Sequence, residues 1–297
     1  MARIPRELRV GGGESATNFT LGVAEFNVVG TGGAATAILD LGARGVDTRT
    51  GAPCPFTPPA MPAIVTPEHY MLQAQLSPAL LSCAVWTAYQ NKALHGYYTK
   101  AAPGTFPLPL DTKDWLLFVP ALPLKYPDDP MGVEITFKAG AQPHLDASPK
   151  GGLQLHNVST VFDFTVLPSA GLRGGAGTGT HVFSLGVTFN AGLDASLHNQ
   201  ANPATGAAGP ALKFAVTTLS IEYSVIDSSI GSISTSGLQK LTNLLLPFVK
   251  DVINAVGGIG FPLPALGGLA FADSAIVIQE NALAINTNIT YTPAAAM

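Results

Sequence analysis

Charge is what this chain has least of. Of its 297 residues, 15 are Lys or Arg and 19 are Asp or Glu, 11% in all, against about 25% in an ordinary soluble domain. Arg3, Arg6 and Arg9 form one basic cluster at the start, and Lys and Arg are sparse thereafter. Binding to nucleic-acid phosphates draws on cationic clusters, and so does binding to an anionic bilayer surface. The sequence therefore speaks against a nucleic-acid partner and offers no polybasic patch beyond those three arginines.

Long apolar runs are missing too. Apolar residues make up 47% of the chain, yet no stretch reaches the ~18 unbroken apolar residues that a spanning helix needs. The expectation is a soluble but oily protein that buries much of itself or keeps an interior for something apolar. The opening MARIPRELRV lacks the apolar core of a secretion signal. Either the protein is not secreted, or its true start lies upstream.

Cysteines number two, Cys54 and Cys83, and neither sits in the C-x-x-C spacing of a zinc site. They fit one disulfide in an oxidising compartment or two buried thiols equally well. Catalytic signatures are also absent: there is no G-x-S-x-G elbow and no H-E-x-x-H. The six histidines (His69, His95, His144, His156, His181, His198) are scattered, with no i,i+4 pair. Asp128-Asp129 are adjacent carboxylates in a Pro-rich stretch, where a solvated turn outweighs paired acid–base work. The Gly-rich run Gly174–Gly179 lacks the Lys-Ser/Thr of a phosphate-binding loop. Three N-glycosylation patterns, at Asn18, Asn157 and Asn288, are short enough to arise by chance. No catalytic residue, metal ligand or cofactor is expected, and the chain reads as something other than an enzyme.

What is present is concentrated in the last quarter, Gly237 to Tyr291. Leu238, Leu241, Leu245, Phe248/Val249, Val252 and Val256 recur at three- and four-residue spacing, which makes one side of a long helix oily. Gly257, Gly258 and Gly260 end that helix, and Pro262 and Pro264 stop it restarting. Two strands follow, Leu269–Gln279 and Leu283–Tyr291, joined at Glu280-Asn281. Such a helix needs a sheet to wrap it.

Upstream, Phe19 to Gly42 reads as two strands around Gly30–Gly33, and Ala43 to Pro67 as a Pro-rich linker. Pro67 to Ala93 reads as helical, with Leu72, Leu76, Leu80 and Cys83/Ala84 on one face. Pro78 favours a start at Ser77 and a span to Leu94. Val133–Ala139, Leu153–His156, Thr160–Leu167, His181–Leu197 and Leu212–Ile226 are strand candidates. Strands, helix, many strands, helix and two strands together predict an α+β fold: a strongly curved antiparallel sheet wrapped around two long helices.

Particular motifs carry a resemblance. L-L-P-F-V at Leu245–Val249, GFPLP at Gly260–Pro264, the strand Leu269–Gln279 with Asp273 near its middle, and the final strand Leu283–Tyr291 resemble the second barrel of the bactericidal/permeability-increasing protein family. That family includes lipopolysaccharide-binding protein and the plasma lipid-transfer proteins, within the tubular lipid-binding (TULIP) superfamily. Weaker echoes are LSPALLSCAVWTAYQNKAL (Leu76–Leu94), LPSAGL (Leu167–Leu172) and the strand Val182–Leu197 with its Ala195-Ser196. The likeness covers residues 61–291.

The resemblance implies a TULIP-like half-barrel over residues 61–297. Residues 1–60 would then be N-terminal strands and linker, either central-sheet strands or the remnant of a first barrel. It implies binding, and transfer, of an amphipathic, phospholipid-like lipid in an apolar slot, without chemistry. An extracellular or secretory location, a role in innate immunity, contact with a membrane surface and an N-terminal sister barrel are further implications. The family's basic tip and its disulfide both lie in the first barrel. Lipopolysaccharide neutralisation and a Cys54–Cys83 bond thus gain nothing from the likeness. The slot is expected between the N-terminal helix and the closing strands, lined by Leu76, Leu80, Val85, Leu245, Val249, Val252, Ile253, Ile276, Ile278 and Ile285. Each buried methylene is worth roughly 0.8 kcal/mol, so acyl chains would need no charged anchor. The alternative is an interaction or structural domain that keeps the fold and fills the slot.

Overall fold

A computed structural model describes residues 7–10, 17–31, 34–46, 53–60, 62–63, 69–90, 95–104, 106–138, 140–168, 179–201, 208–263 and 269–291. Residues 91–94, 169–172, 174–178 and 264, on which parts of the sequence reading fall, lie outside that set.

The chain forms two sheets. In the first, β1 (Glu7–Val10), β2 (Thr17–Thr31) and β3 (Ala34–Val46) make an antiparallel series, the hairpin read from Phe19–Gly42. β3 then runs parallel to β4 (Leu72–Leu76), which pairs with β13 (Ala282–Tyr291), and β13 with β12 (Leu269–Gln279). Residues from both sides of position 60 thus share one six-stranded sheet. The closing hairpin turns at Glu280-Asn281 as its sequence indicates, with Asn281 at φ 59.

β4 corrects the helical reading over Leu72–Leu76; residues 67 and 68 lie outside the described set. Leu72 and Leu76 stand on a strand. A spacing of four satisfies the strand period of two as well as the helix period, and Pro78 disfavours helical geometry at Ser77. Across the ladder Gln73 Nε2 donates to Asn286 Oδ1 at 2.7 Å and Gln75 Nε2 to Gln279 Oε1 at 3.2 Å. Gln73 and Gln75 are almost wholly buried, so each bond serves a donor that water cannot reach, while Gln73 Oε1 has no partner among the described residues. The helix α1 (Pro78–Gln90) follows at once. Ser77 Oγ accepts from the Ala79 N–H at 3.2 Å and its carbonyl from Leu80 N–H at 3.0 Å, and proline occupies the first turn, where its missing N–H has no partner to lose.

The second sheet has seven strands. Its order is β11 (Phe261–Pro262), β10 (Ala208–Ser228), β9 (Thr180–Ala201), β8 (Gly152–Val166), β6 (Met131–Phe137) and β5 (Gly96–Thr99), with β7 (His144–Ser148) also on β8. All its pairings are antiparallel. The two strands read over Leu153–His156 and Thr160–Leu167 are one strand. Asn157, at φ 59, makes a bulge there that skips the β9 register from Leu155 to Val158. Further bulges interrupt β9–β10 between Val216 and Thr218 and between Val225 and Asp227. Each bulge bends its strand and increases the local twist, and the long strands curl into a half-barrel.

The concave face is apolar. Val133, Ile135, Phe162, Phe164, Phe183, Leu185, Val187 and Phe189 are all buried, because alternate residues of a strand share a face. Trp115, at the end of a short 3-10 helix (Thr112–Trp115), meets Phe164 and Phe183 edge-on at 5.2 and 5.7 Å between ring centroids. A second short helix, α2 (Ala121–Lys125), follows it. Together they precede the Pro-rich turn that holds Asp128-Asp129.

α3 (Thr235–Ile259) lies on β10, while α1 packs on β7 and on the β2–β3 hairpin. Ser234 caps α3 by accepting the Gly237 N–H at 3.1 Å, and Gly260, at φ 80, ends it. Cys54 and Cys83 are joined in a disulfide with their Cα atoms 5.5 Å apart, tying the segment before β4 to α1.

Candidate functional site

The apolar stripe of α3 changes character along its length. Leu241 and Leu245 are fully buried in the core, Phe248 and Val249 lie at its margin, and Val252 and Ile253 are only half-buried. Opposite these last residues a cavity of about 290 Å³ separates the helix from the seven-stranded sheet. Ile135, Phe162 and Phe189 form its floor, on β6, β8 and β9. At one end Tyr98 stacks on Phe106 at 4.9 Å, and both meet Phe248 edge-on at 6.1 and 5.7 Å.

The helix is held at both ends, and the cavity lies between those clamps. Near the N-terminus, Gly237 touches the Phe118 carbonyl so closely that a Cβ would have no room. Near the C-terminus a Cβ on Gly257 would lie 2.6 Å from the carbonyl oxygen of Phe214 on β10. Asn254 Oδ1 accepts the Val216 N–H at 2.8 Å. Between the clamps sits Pro247, which has no N–H to give the Asn243 carbonyl and so removes one helical hydrogen bond on the exposed side. Helix and sheet cannot close the gap without breaking those contacts.

Polar groups are few here. Thr160 is satisfied by the Val187 carbonyl at 3.3 Å. His95 and Ala255 stand at the exposed side of the cavity, where His95 Nε2 lies 3.0 Å from Glu134 Oε1. Charge therefore sits at the mouth, and the interior holds hydrocarbon, aromatic rings and one hydroxyl-bearing threonine.

Of the ten residues expected to line a slot, Val249, Val252 and Ile253 stand on this cavity. Leu76, Leu80, Leu245 and Ile285 lie in the solid core; Val85, Ile276 and Ile278 are partly buried against it. Ile276 also borders a second, more polar pocket between β9 and β12. The wall is thus α3 with β5, β6, β8 and β9, and neither α1 nor the closing strands contribute to it. Phe162, Phe189 and Ile135 were readable as inward-facing strand residues. Tyr98 lay on β5, a four-residue strand too short for its alternation to show.

The register also assembles polar clusters that linear motifs hide. Asp163 and Ser184 are cross-strand partners, and the Ser184 hydroxyl donates to the Asp163 carboxylate. His181 Nε2 is 2.8 Å from that same hydroxyl oxygen and its Nδ1 3.8 Å from Asp227. With the serine proton committed to a carboxylate, His181 can only donate to the oxygen, the reverse of nucleophile activation. Similarly, His144 and His156 pair across β7 and β8, stacked at 5.3 Å, with Asp146 at 3.8 and 3.6 Å from their Nε2 atoms. Tyr89 on α1 donates its hydroxyl to the Lys138 carbonyl at 2.6 Å, with the Ser159 carbonyl 2.7 Å away. Burial pushes its phenol up to about 12.

Comparison with known proteins adds two findings. The family model for the LBP / BPI / CETP family, C-terminal domain, matches residues 25–291. Among solved structures, the crystal structure of lipopolysaccharide binding protein aligns over 97% of this chain and 57% of its own, at 19% identity and a TM-score of 0.47. The chain therefore spans a little over half the length of that relative. No curated protein matches it.

Proposed function

The chain belongs to the LBP / BPI / CETP family, C-terminal domain, and from that premise we propose that it binds the acyl part of an amphipathic, phospholipid-like lipid in the cavity under α3. The observation that carries this reading is the contrast between wall and mouth. Val249, Val252, Ile253, Phe162 and Phe189 surround an apolar space, while His95 and Glu134 mark where a polar head would emerge. At about 290 Å³ the space lies at the small end of ligand sites, which run from about 300 to 1,000 Å³. It suits one chain better than two. Binding then needs no chemistry, and transfer is release of the same lipid at another surface.

Two further observations support the wider reading. Leu116, Leu117 and Leu124 are 57, 70 and 83% exposed on the 3-10 helix–α2 segment, a place for contact with a bilayer surface during loading. The Cys54–Cys83 bond fits an oxidising, extracellular or secretory compartment. Residues 1–60 act in this reading as central-sheet strands, with a sister barrel as the other half of the assembly.

The test is a competition series in which fatty acids of increasing length displace a fluorescent acyl probe. Affinity should climb about fourfold per methylene, from ~0.8 kcal/mol each, until the cavity is filled. A flat series would favour the alternative of a structural domain with a filled core, to which the close packing of Leu76, Leu80, Leu245 and Ile285 lends weight.

A further inference from the structure

The second pocket, about 470 Å³ between the end of β9 and β12, has the opposite character from the cavity and shares no residue with it. Ser196, His198 and Asn199 approach from β9, and Asp273 and Ser274 from β12, with the ring of Phe271 beside them.

Adjacent residues of a regular strand point to opposite faces, and Asp273 and Ser274 stand where β12 departs from regularity. The β12–β13 register slips between Ala272 and Ala275, and Asp273 takes φ 49. A bulge of this kind re-aims side chains, and both residues border the pocket. Ser274 is held in place by Thr287, hydroxyl to hydroxyl at 2.6 Å. Ser196 Oγ and His198 Nε2 bond each other at 3.0 Å. Among the described residues, the Asp273 carboxylate has no hydrogen-bond or ion-pair partner, and no Lys or Arg lines the pocket.

One formal negative charge, an aromatic ring and several hydroxyl and amide groups make a wall that repels anions. It offers a cation both a counter-charge and a π face. We propose that this pocket binds an organic ammonium group, carried by a lipid headgroup or by a free small amine. The site is independent of the acyl-chain reading, because its ligand needs no chain.

The experiment is an NMR titration of the protein with choline chloride, with dihexanoyl phosphocholine, and with dimethylbutanol, the uncharged carbon isostere of choline. Choline should shift the amides of Ser196, Asp273 and Ser274 saturably. The isostere should bind about fivefold more weakly or worse, the worth of a partly exposed charge pair. Asp273→Asn should weaken choline by a similar factor while leaving acyl-probe binding unchanged, since asparagine tolerates the same left-handed backbone. Tighter binding of the phosphocholine than of choline assigns the site to a lipid headgroup; equal or weaker binding assigns it to a free amine. No saturable shift with either cation, or equal binding of choline and its isostere, overturns the proposal. Because the isostere comparison uses the unaltered protein, it decides the matter even if Asp273→Asn fails to fold.

Discussion

Asn254 on α3 accepts the backbone N–H of Val216 on β10, with 2.8 Å between nitrogen and oxygen. The bond falls where the β9–β10 register slips between Val216 and Thr218, so a side chain from the helix serves a strand at its bulge. It also fixes α3 one residue beyond Ile253, on the cavity wall. Asn254→Ala should leave that N–H without a partner and cost about 1–3 kcal/mol. The check is a urea midpoint that falls with little change in slope, together with faster release of an acyl probe.

Gly257 and Gly258 are neighbours on α3 with opposite surroundings. A Cβ at Gly257 would strike the Phe214 carbonyl oxygen at 2.6 Å, and one at Gly258 would meet nothing within 4 Å. Gly257→Ala should therefore destabilise the protein by about 1–3 kcal/mol through crowding. Gly258→Ala should stabilise it by about 0.5–1 kcal/mol through helix propensity. Thermal unfolding of the two variants should shift in opposite directions; a stabilising Gly257→Ala would mean that helix and strand are not in contact there.

The Cys54–Cys83 bond spans 29 positions of chain. Closing a loop of that length in the unfolded state is worth about 3–4 kcal/mol. The double variant Cys54→Ser/Cys83→Ser should lose stability of that order in chemical denaturation. The unaltered protein should behave like the variant only after reduction.

Tyr89 predicts an alkaline limb. Its phenol is raised from 10.0 to about 12 by burial, so the folded state keeps the proton to higher pH than the unfolded chain does. The contribution is fully present below about pH 10 and is lost as pH rises through about 12, at ~1.4 kcal/mol for each pH unit in between. Tyr89→Phe lacks this component. Stability measured from pH 9 to 12 should fall less steeply for the variant, and parallel curves would remove Tyr89 from the account.

Much of this architecture was legible because local patterns coincide with it. The α3 stripe from Leu238 to Val252, the stop at Gly260 and the hairpin turn at Glu280-Asn281 follow from spacing and turn chemistry alone. β4 was not legible, since Leu72 and Leu76 satisfy two periods at once. The break at Asn157 looked like the end of a strand when it is a bulge inside one. Clusters such as Asp163 with Ser184 and His144 with His156 depend on cross-strand register, which no linear motif encodes. The two cysteines were readable as a pair or as thiols until the fold brought their Cα atoms to 5.5 Å. The cavity was the hardest to foresee. An oily helix face can meet a packed core or a void, and here the choice is made by clamps at Gly237, Asn254 and Gly257, whose partners are distant in sequence.

The central claim, that a lipid chain occupies the space under α3, is tested most directly by native mass spectrometry of the protein after exposure to phospholipid vesicles. The account predicts one lipid adduct per chain, abolished in Val252→Trp, whose indole would fill the cavity while near-ultraviolet circular dichroism shows the fold retained. Absence of any stoichiometric lipid on the unaltered protein, or equal loading of the folded Val252→Trp variant, would contradict it.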